Sequence, residues 1–517
     1  MRPVEDCHQP DSATWYCIRR QGLVGRSGWI DTVPLDELPQ RIRAADGSVV
    51  EVCVTADYRP VTADRFSRVF SNRARGLIGM EVAFREYFLR LAPTRMLAAN
   101  LGFRRALDRL LQDLSASAED FAKNGRFRVF SARQVLLHCH PDATRVTELY
   151  RGAPLVNSTP QGNQGLATDL ASGIATWMVQ NQAADGSLPY KYWPSRGIES
   201  SADNAIRRFL ASLALARLGE LRENAEVREA ARRNLRFNLT HYFRAIGAGR
   251  GAIVEGNTAK LGAAALAGLA ILESPACQEF LPELEMLAAG VESLAVGEHG
   301  FRTFFFPAER DGSNWNFYSG EALLFWAEAM RRKTAFAPTL ERYTEIFTRC
   351  RELHYQARNP AFVPWHTQAC ASLFKQTGRR EFADFALEIN DWLLPMQQWD
   401  EQSDFPLDLR GRFYDPRRPD FGPPHAASTG VYLEGLTDAI TLARMLGDAS
   451  RAAAYERAVG RGLQSLRQLQ FRDERDAFYV SKRHRVMGAL RTEAYDNEVR
   501  IDSAAHALAA AVNVLKL

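Results

Sequence analysis

From about residue 160 to the C-terminus, two kinds of helical hydrophobic pattern alternate. One kind is amphipathic, apolar on one face and charged on the other, as expected of a helix lying on the outside of a protein. It begins with Leu166–Gln180, where Leu166, Leu170, Ile174 and Trp177 share a face. It returns at Glu223–Phe243, Phe280–Leu294, Leu340–Cys350, Glu381–Leu394 and Arg451–Gln470. The second kind is apolar or small almost all the way round and must be buried on most sides. It covers Asp203–Leu218, Thr258–Leu272, Ser319–Met330, His366–Thr377, Ala427–Leu446 and Asp502–Leu515.

The inner-type helices recur every roughly 50 to 75 residues, a spacing too loose for a solenoid of fixed period. Six outer and six inner helices are what a closed ring of helical hairpins needs. The expected architecture is therefore mainly α, an (α/α)6 toroid over 165–517, with an open helical array as the competing arrangement. In a toroid the outer-to-inner loops collect on one rim, around a central funnel.

Residues 1–156 have a different texture and predict a smaller α+β domain. Val49–Thr55, Leu77–Leu91 and Arg126–Phe130 are rich in β-branched and aromatic residues and read as strands. After Pro93, with Thr94 as its cap, a helix is expected to carry Met96, Phe103, Leu107, Leu110 and Leu114 on one face. Arg95, Arg104, Arg105 and Arg109 there read as a solvated face rather than an anion site. His138-Cys139-His140 invites a metal, but neighbours on an extended segment point to opposite faces, so none is assigned. Asn157–Gln164 reads as a linker.

Composition narrows the function classes. Lys and Arg number 65 against 61 Asp and Glu, a net charge of +4, and no basic run of the kind that tracks phosphates occurs; no nucleic-acid partner is implied. No stretch reaches the roughly 18 apolar residues that span a bilayer, and acidic residues stand where a signal peptide would be apolar. The 7 cysteines are scattered without CxxC spacing, which fits a reducing compartment. The expectation is a cytoplasmic protein without membrane insertion, metal or cofactor, with a homodimer left open.

Chemistry is expected on the rim. Tyr190, Tyr192, Trp193, Trp315, Tyr318 and Trp365 offer aromatic faces, and Asn257 and Asn316 offer amides. Such a mixture suits a polyol, which stacks its C–H face and hydrogen-bonds its hydroxyls. Arg207, Lys260, Arg483 and Arg500 can bind an anionic substituent, with Asp502 beside Arg500. The acid–base candidates are Asp203, Glu255, Glu321, Glu434, Asp502, His366 and His425. Asp203 can equally be an early-turn residue behind a Ser201 cap. Glu255, ahead of an apolar helix, is expected to be partly buried and shifted in pKa. His366 and His425 would open inner helices four and five and face one another across the funnel. Glu434, within YLEGLTDA, can instead bond a neighbouring helix.

The segments QNQAADGSLPY (180–190), NFYSGEALL (316–324) and HAASTGVYLEGLTDA (425–439), with the six-pair pattern over about 350 residues, resemble the (α/α)6-barrel sugar-modifying enzymes. These include the N-acylglucosamine 2-epimerase superfamily, the glucuronyl C5-epimerases and the unsaturated-glucuronyl hydrolases. Likeness to the first implies proton exchange by two histidines, for which His366 and His425 match best by position. Likeness to the C5-epimerases and lyases implies a tyrosine and a carboxylate, for which Tyr318, Tyr432 and Glu255 would serve. Terpene cyclases and lanthionine cyclases fit less well, for no Asp-Asp pair occurs and Cys370 lacks zinc-ligand partners. The expected function is a carbohydrate- or uronate-modifying enzyme, an epimerase or isomerase that abstracts a proton. The alternatives are a glycoside hydrolase or polysaccharide lyase, using Asp203 and Glu255 or Glu321, and a non-catalytic toroid binding a glycan or a protein.

Overall fold

Six helices surround the centre of the molecule: Ala205–Leu221, Leu261–Leu272, Trp315–Arg331, Val363–Thr377, Ala426–Met445 and Ile501–Leu515. Each packs on the next and the sixth packs on the first, so the ring is closed and an open array is ruled out. Gly162–Asn181, Ala225–Tyr242, Leu281–Ser293, Leu340–Gln356, Arg380–Leu393 and Ala449–Leu469 form the outer layer. The computed structural model describes residues 2–3, 12–62, 65–140, 144–156, 162–296, 300–399 and 405–517.

The division into layers follows the hydrophobic pattern. Every residue of Leu261–Leu272 is buried, whereas the outer helix Leu340–Gln356 buries only Tyr343, Ile346, Phe347, Cys350 and His354. Small residues set the close approach of the inner helices. A Cβ on Gly430, in the fifth, would lie 2.8 Å from the backbone of His506 in the sixth.

Rim segments depart from the expected pattern, because short strands form where only loops and helices were foreseen. Thr258–Lys260 is a strand, so the second inner helix starts at Leu261. It lies in a four-stranded sheet ordered Phe243–Gly247, Arg250–Glu255, Thr258–Lys260, Phe304–Phe306. A second sheet runs Ile198–Glu199, Lys191–Trp193, Asp496–Arg500, Arg491–Glu493 and leads directly into the sixth inner helix. Asn204, not Ser201, caps the first inner helix, its side chain accepting from the Arg207 N–H at 3.2 Å.

The N-terminal part is an antiparallel sheet flanked by helices. Its order is Arg2–Pro3, Tyr87–Leu91, Ile78–Phe84, Arg126–Cys139, Val49–Val61, Thr14–Arg20, Leu23–Ile30, with Thr144–Leu149 also pairing to Arg126–Cys139. The stretch read as one strand over Leu77–Leu91 is a hairpin of two. The helix after Pro93 is split into Pro93–Ala98 and Phe103–Asp113, capped at Ala92 and Gly102. Thr94 does not cap; its hydroxyl donates to Glu51. Of the linker, 157–161 lie outside the described residues, and 162–164 already belong to the first outer helix.

Sheet and ring are bolted together by polar contacts. Arg151 donates to Asp408 at 2.6 Å and to the carbonyls of Arg73 and Arg75 at 2.5 and 2.7 Å. Asn100 donates to Asp496 at 2.8 Å, and Asn497 donates to the Leu97 carbonyl at 3.1 Å. No described helix is long and apolar enough to cross a membrane.

Candidate active site in the funnel of the ring

All six inner helices, or the residues that lead into them, line a cavity of 510 Å³ at the mouth of the ring. Its size and mixed lining are those of a small-molecule site. The lining is uneven in chemistry. Arg207, Lys260 and Arg310 come from the first three inner helices and the segments before them, whereas His425 and His506 come from the fifth and sixth.

On the cationic side, Arg207, Lys260 and Arg310 line the cavity. Arg207 donates to Asp502 at 3.0 Å and to the Tyr190 hydroxyl. Asp502 is also held by Arg500 at 3.0 Å. Burial works to raise the Asp502 pKa, but Arg207 and Arg500 overrule it and keep the carboxyl below its ordinary value. Lys260 pairs with Glu255 at 3.1 Å. Arg310 lies over the Phe304 ring at 4.9 Å, and no carboxylate among the described residues pairs with it. In and just behind the lining, Asp502 and Glu255 thus meet four cations, Arg207, Lys260, Arg310 and Arg500, which favours an anionic ligand.

On the opposite side, His506 Nδ1 lies 2.7 Å from Glu434 Oε1, and Glu434 is fully buried. The carboxylate fixes the ring so that Nε2 is left for the cavity, as in other carboxylate-backed histidines. His425 caps the fifth inner helix, its Nδ1 accepting from the Ser428 N–H at 3.1 Å, so its proton sits on Nε2. Burial, reinforced by Arg500, pushes the His425 pKa down to about 4. It is therefore a neutral donor at neutral pH.

Glu321 projects from the third inner helix, across the ring from the sixth. Its Oε2 is buried without a hydrogen-bond partner, and burial alone raises its pKa to about 8. A Cβ on Gly262 would fall 2.0 Å from that oxygen, so glycine there makes the room for the carboxyl. Such a group, neutral at pH 7, is a proton donor in waiting. Because its folded pKa lies above the unfolded value, its contribution to stability is complete below about pH 4.5 and is lost as pH rises through about 8. Glu321→Gln is expected to flatten the fall of the thermal midpoint between pH 5 and 9; an unchanged slope would contradict the burial of an ionisable carboxyl.

Of the residues anticipated from sequence, Arg207, Lys260, Tyr318, Glu321, Trp365, His425 and Asp502 are brought together here. Tyr190, Glu255 and Arg500 stand behind them as partners of Arg207, Lys260 and Asp502. Others are elsewhere. His366 does not line the cavity: it is fully buried, stacked on Phe362 at 3.3 Å with Nδ1 on the Phe362 carbonyl, and burial depresses its pKa to about 3. Asp203 is occupied by Arg208 and the Tyr242 hydroxyl, which hold its carboxyl low against the effect of burial. Tyr192 lies buried beneath Arg485, and Trp193 donates to Glu498 at 2.8 Å. Arg483 pairs with Glu474 at 3.0 Å, and Asn257 is an exposed turn residue. Trp315 and Asn316 line a neighbouring groove instead.

His506, Arg310 and Asn314 were not anticipated. His506 had a usable signal, a lone histidine one turn after Asp502 on an alanine-rich helix, hence on the same face. Arg310 and Asn314 had none, since a rim loop has no periodicity from which orientation can be read.

No family model matches the chain, and no curated protein sequence matches it. Among solved structures it is similar to the GH76A alpha-1,6-mannanase from Salegentibacter sp. HEL1_6, with 12% identity over 68% of this chain and 99% of that one, TM-score 0.47. It is similar to an unsaturated glucuronyl hydrolase specific for heparin, with 12% identity over 69% and 99%, TM-score 0.48. A D-mannose isomerase matches at 14% identity over 68% and 97%, TM-score 0.49.

Proposed function

We propose that the protein is an enzyme that moves a proton at a carbon of an anionic sugar, a uronate epimerase or isomerase acting in the funnel. The observation that carries this reading is the Glu434-backed His506 set across the ring from the neutral carboxyl of Glu321. The cations of the first three helices hold the sugar's carboxylate. His506 Nε2 takes the proton from the carbon beside a carbonyl or carboxylate. His425 Nε2–H donates to the oxygen on which charge develops. Glu321 returns a proton from the other side. A cytoplasmic location fits the six described cysteines, which are free thiols.

A second reading, glycoside hydrolysis, has one observation in its favour: a neutral carboxyl, Glu321, and an ionised one, Asp502, share the cavity. That combination is the usual acid and base of glycosidases. Asp502 is, however, engaged by two arginines. The two readings separate in deuterated water with a panel of uronates and acidic oligosaccharides. Deuterium entering a sugar C–H without bond cleavage supports proton exchange, new reducing ends support hydrolysis, and neither outcome leaves a binding protein. For a uronate substrate, Arg310→Ala is expected to raise KM about tenfold with kcat little changed, the loss of one charge-assisted contact. An equal KM in steady-state assays would remove Arg310 from the anion site.

A further inference from the structure

Beside the funnel lies a second depression, a groove of 700 Å³ between the rim ends of the outer and inner helices. Phe421 belongs to the walls of both. A small pocket past Phe421, Gly422 and Tyr432 borders both as well, so the two spaces are neighbours that share a wall. The groove presents Trp392 and Phe421 edge to face, 6.3 Å apart at 70°, with Trp315 further along. Asn316 lines the groove with its Oδ1 buried and without a hydrogen-bond partner.

The arginines of the groove are already neutralised. Arg358 pairs with Glu388 at 2.7 Å, and Arg418 pairs with Asp420 at 2.8 Å while lying over Phe421 at 4.2 Å. A phosphate or nucleotide would have to compete with these carboxylates. A pyranose ring leaves these ion pairs intact: it shares the Trp392 indole with Arg358, which lies 5.8 Å over that ring, and offers hydroxyls to amides.

We propose that this groove is a subsite for the units that follow the terminal sugar, so that the substrate is an oligosaccharide entering the funnel by one end. The proposal rests on the uronate reading for the terminal unit and on the groove's own geometry for the rest. Trp392 carries the second unit, and Asn316 hydrogen-bonds its hydroxyls through Nδ2.

Calorimetric titration of the full chain with D-galacturonate and with its linear trimer tests this. The trimer is expected to bind about tenfold more tightly than the monomer. Trp392→Ala is expected to erase that difference while leaving monomer affinity unchanged. Asn316→Ala, which removes a half-buried polar side chain rather than an apolar one, is expected to reduce the difference and guards against misfolding of the Trp392 variant. A trimer that binds no better than the monomer, or variants that weaken both ligands alike, would overturn the subsite and leave the funnel reading standing. A trimer that binds through Trp392 while the monomer does not bind would support the groove and sink the funnel reading. No binding of either would overturn both.

Discussion

His506→Gln is expected to lower kcat by ~10²–10⁴-fold, the range typical of a lost general base, with KM for the uronate little changed. Proton transfer there depends on the His506–Glu434 pair, not on the histidine alone. Glu434 is fully buried in the fifth inner helix, and its second oxygen has no hydrogen-bond partner. Glutamine keeps a donor for that carboxylate, so the variant tests proton transfer more than packing. Glu434→Gln should also lower kcat at constant KM, by less than its partner does, because it removes the charge that stabilises the imidazolium while keeping the hydrogen bond. His366→Gln serves as the contrast: it lies against Phe362 and Ser319 outside the cavity, and its effect should fall on the unfolding midpoint. Deuterium wash-in followed by NMR reads the first pair; turnover by His506→Gln at the wild-type rate would dismiss the histidine from the chemistry.

The largest expected effect on stability is at the joint between sheet and ring. Arg151→Met should cost ~3–5 kcal/mol, because it strands a carboxylate in the interior. The Arg151 side chain is 0% exposed and that of Asp408 3%, and the guanidinium also satisfies the carbonyls of Arg73 and Arg75. Arg151→Met combined with Asp408→Leu should recover much of the loss, since the second change removes the orphaned charge. Urea titration of the single and double variants checks both statements. A double variant no better than the single would mean that the two carbonyls, not the ion pair, hold the joint.

The ring was legible in the sequence because it depends on helical periodicity and on which helices are apolar all round. Leu261–Leu272 announces itself as an inner helix, and Arg380–Leu393 as an outer one. Their starts were less legible, as at Thr258–Lys260, because a three-residue strand is decided by its partners Arg250–Glu255 and Phe304–Phe306 rather than by its own residues. The funnel follows the same division. Arg207, Glu321 and His425 were anticipated from their positions near the starts of inner helices. The same reasoning places His366 in the funnel, but it lies one turn into a helix that begins at Val363, and it turns away against Phe362. His506 shares a helix face with Asp502 in the sequence, but its importance comes from Glu434, distant in sequence and brought near by the close approach at Gly430.

Circularity has a consequence for how the molecule comes apart. In a linear stack of repeats an end unit can fray while its neighbours persist. Here the first and sixth inner helices shield one another, so every hairpin has two flanks to lose. Peeling one away uncovers apolar surface on both sides at once. The helical part is therefore built to melt in a single concerted event, taking the binding pocket with it.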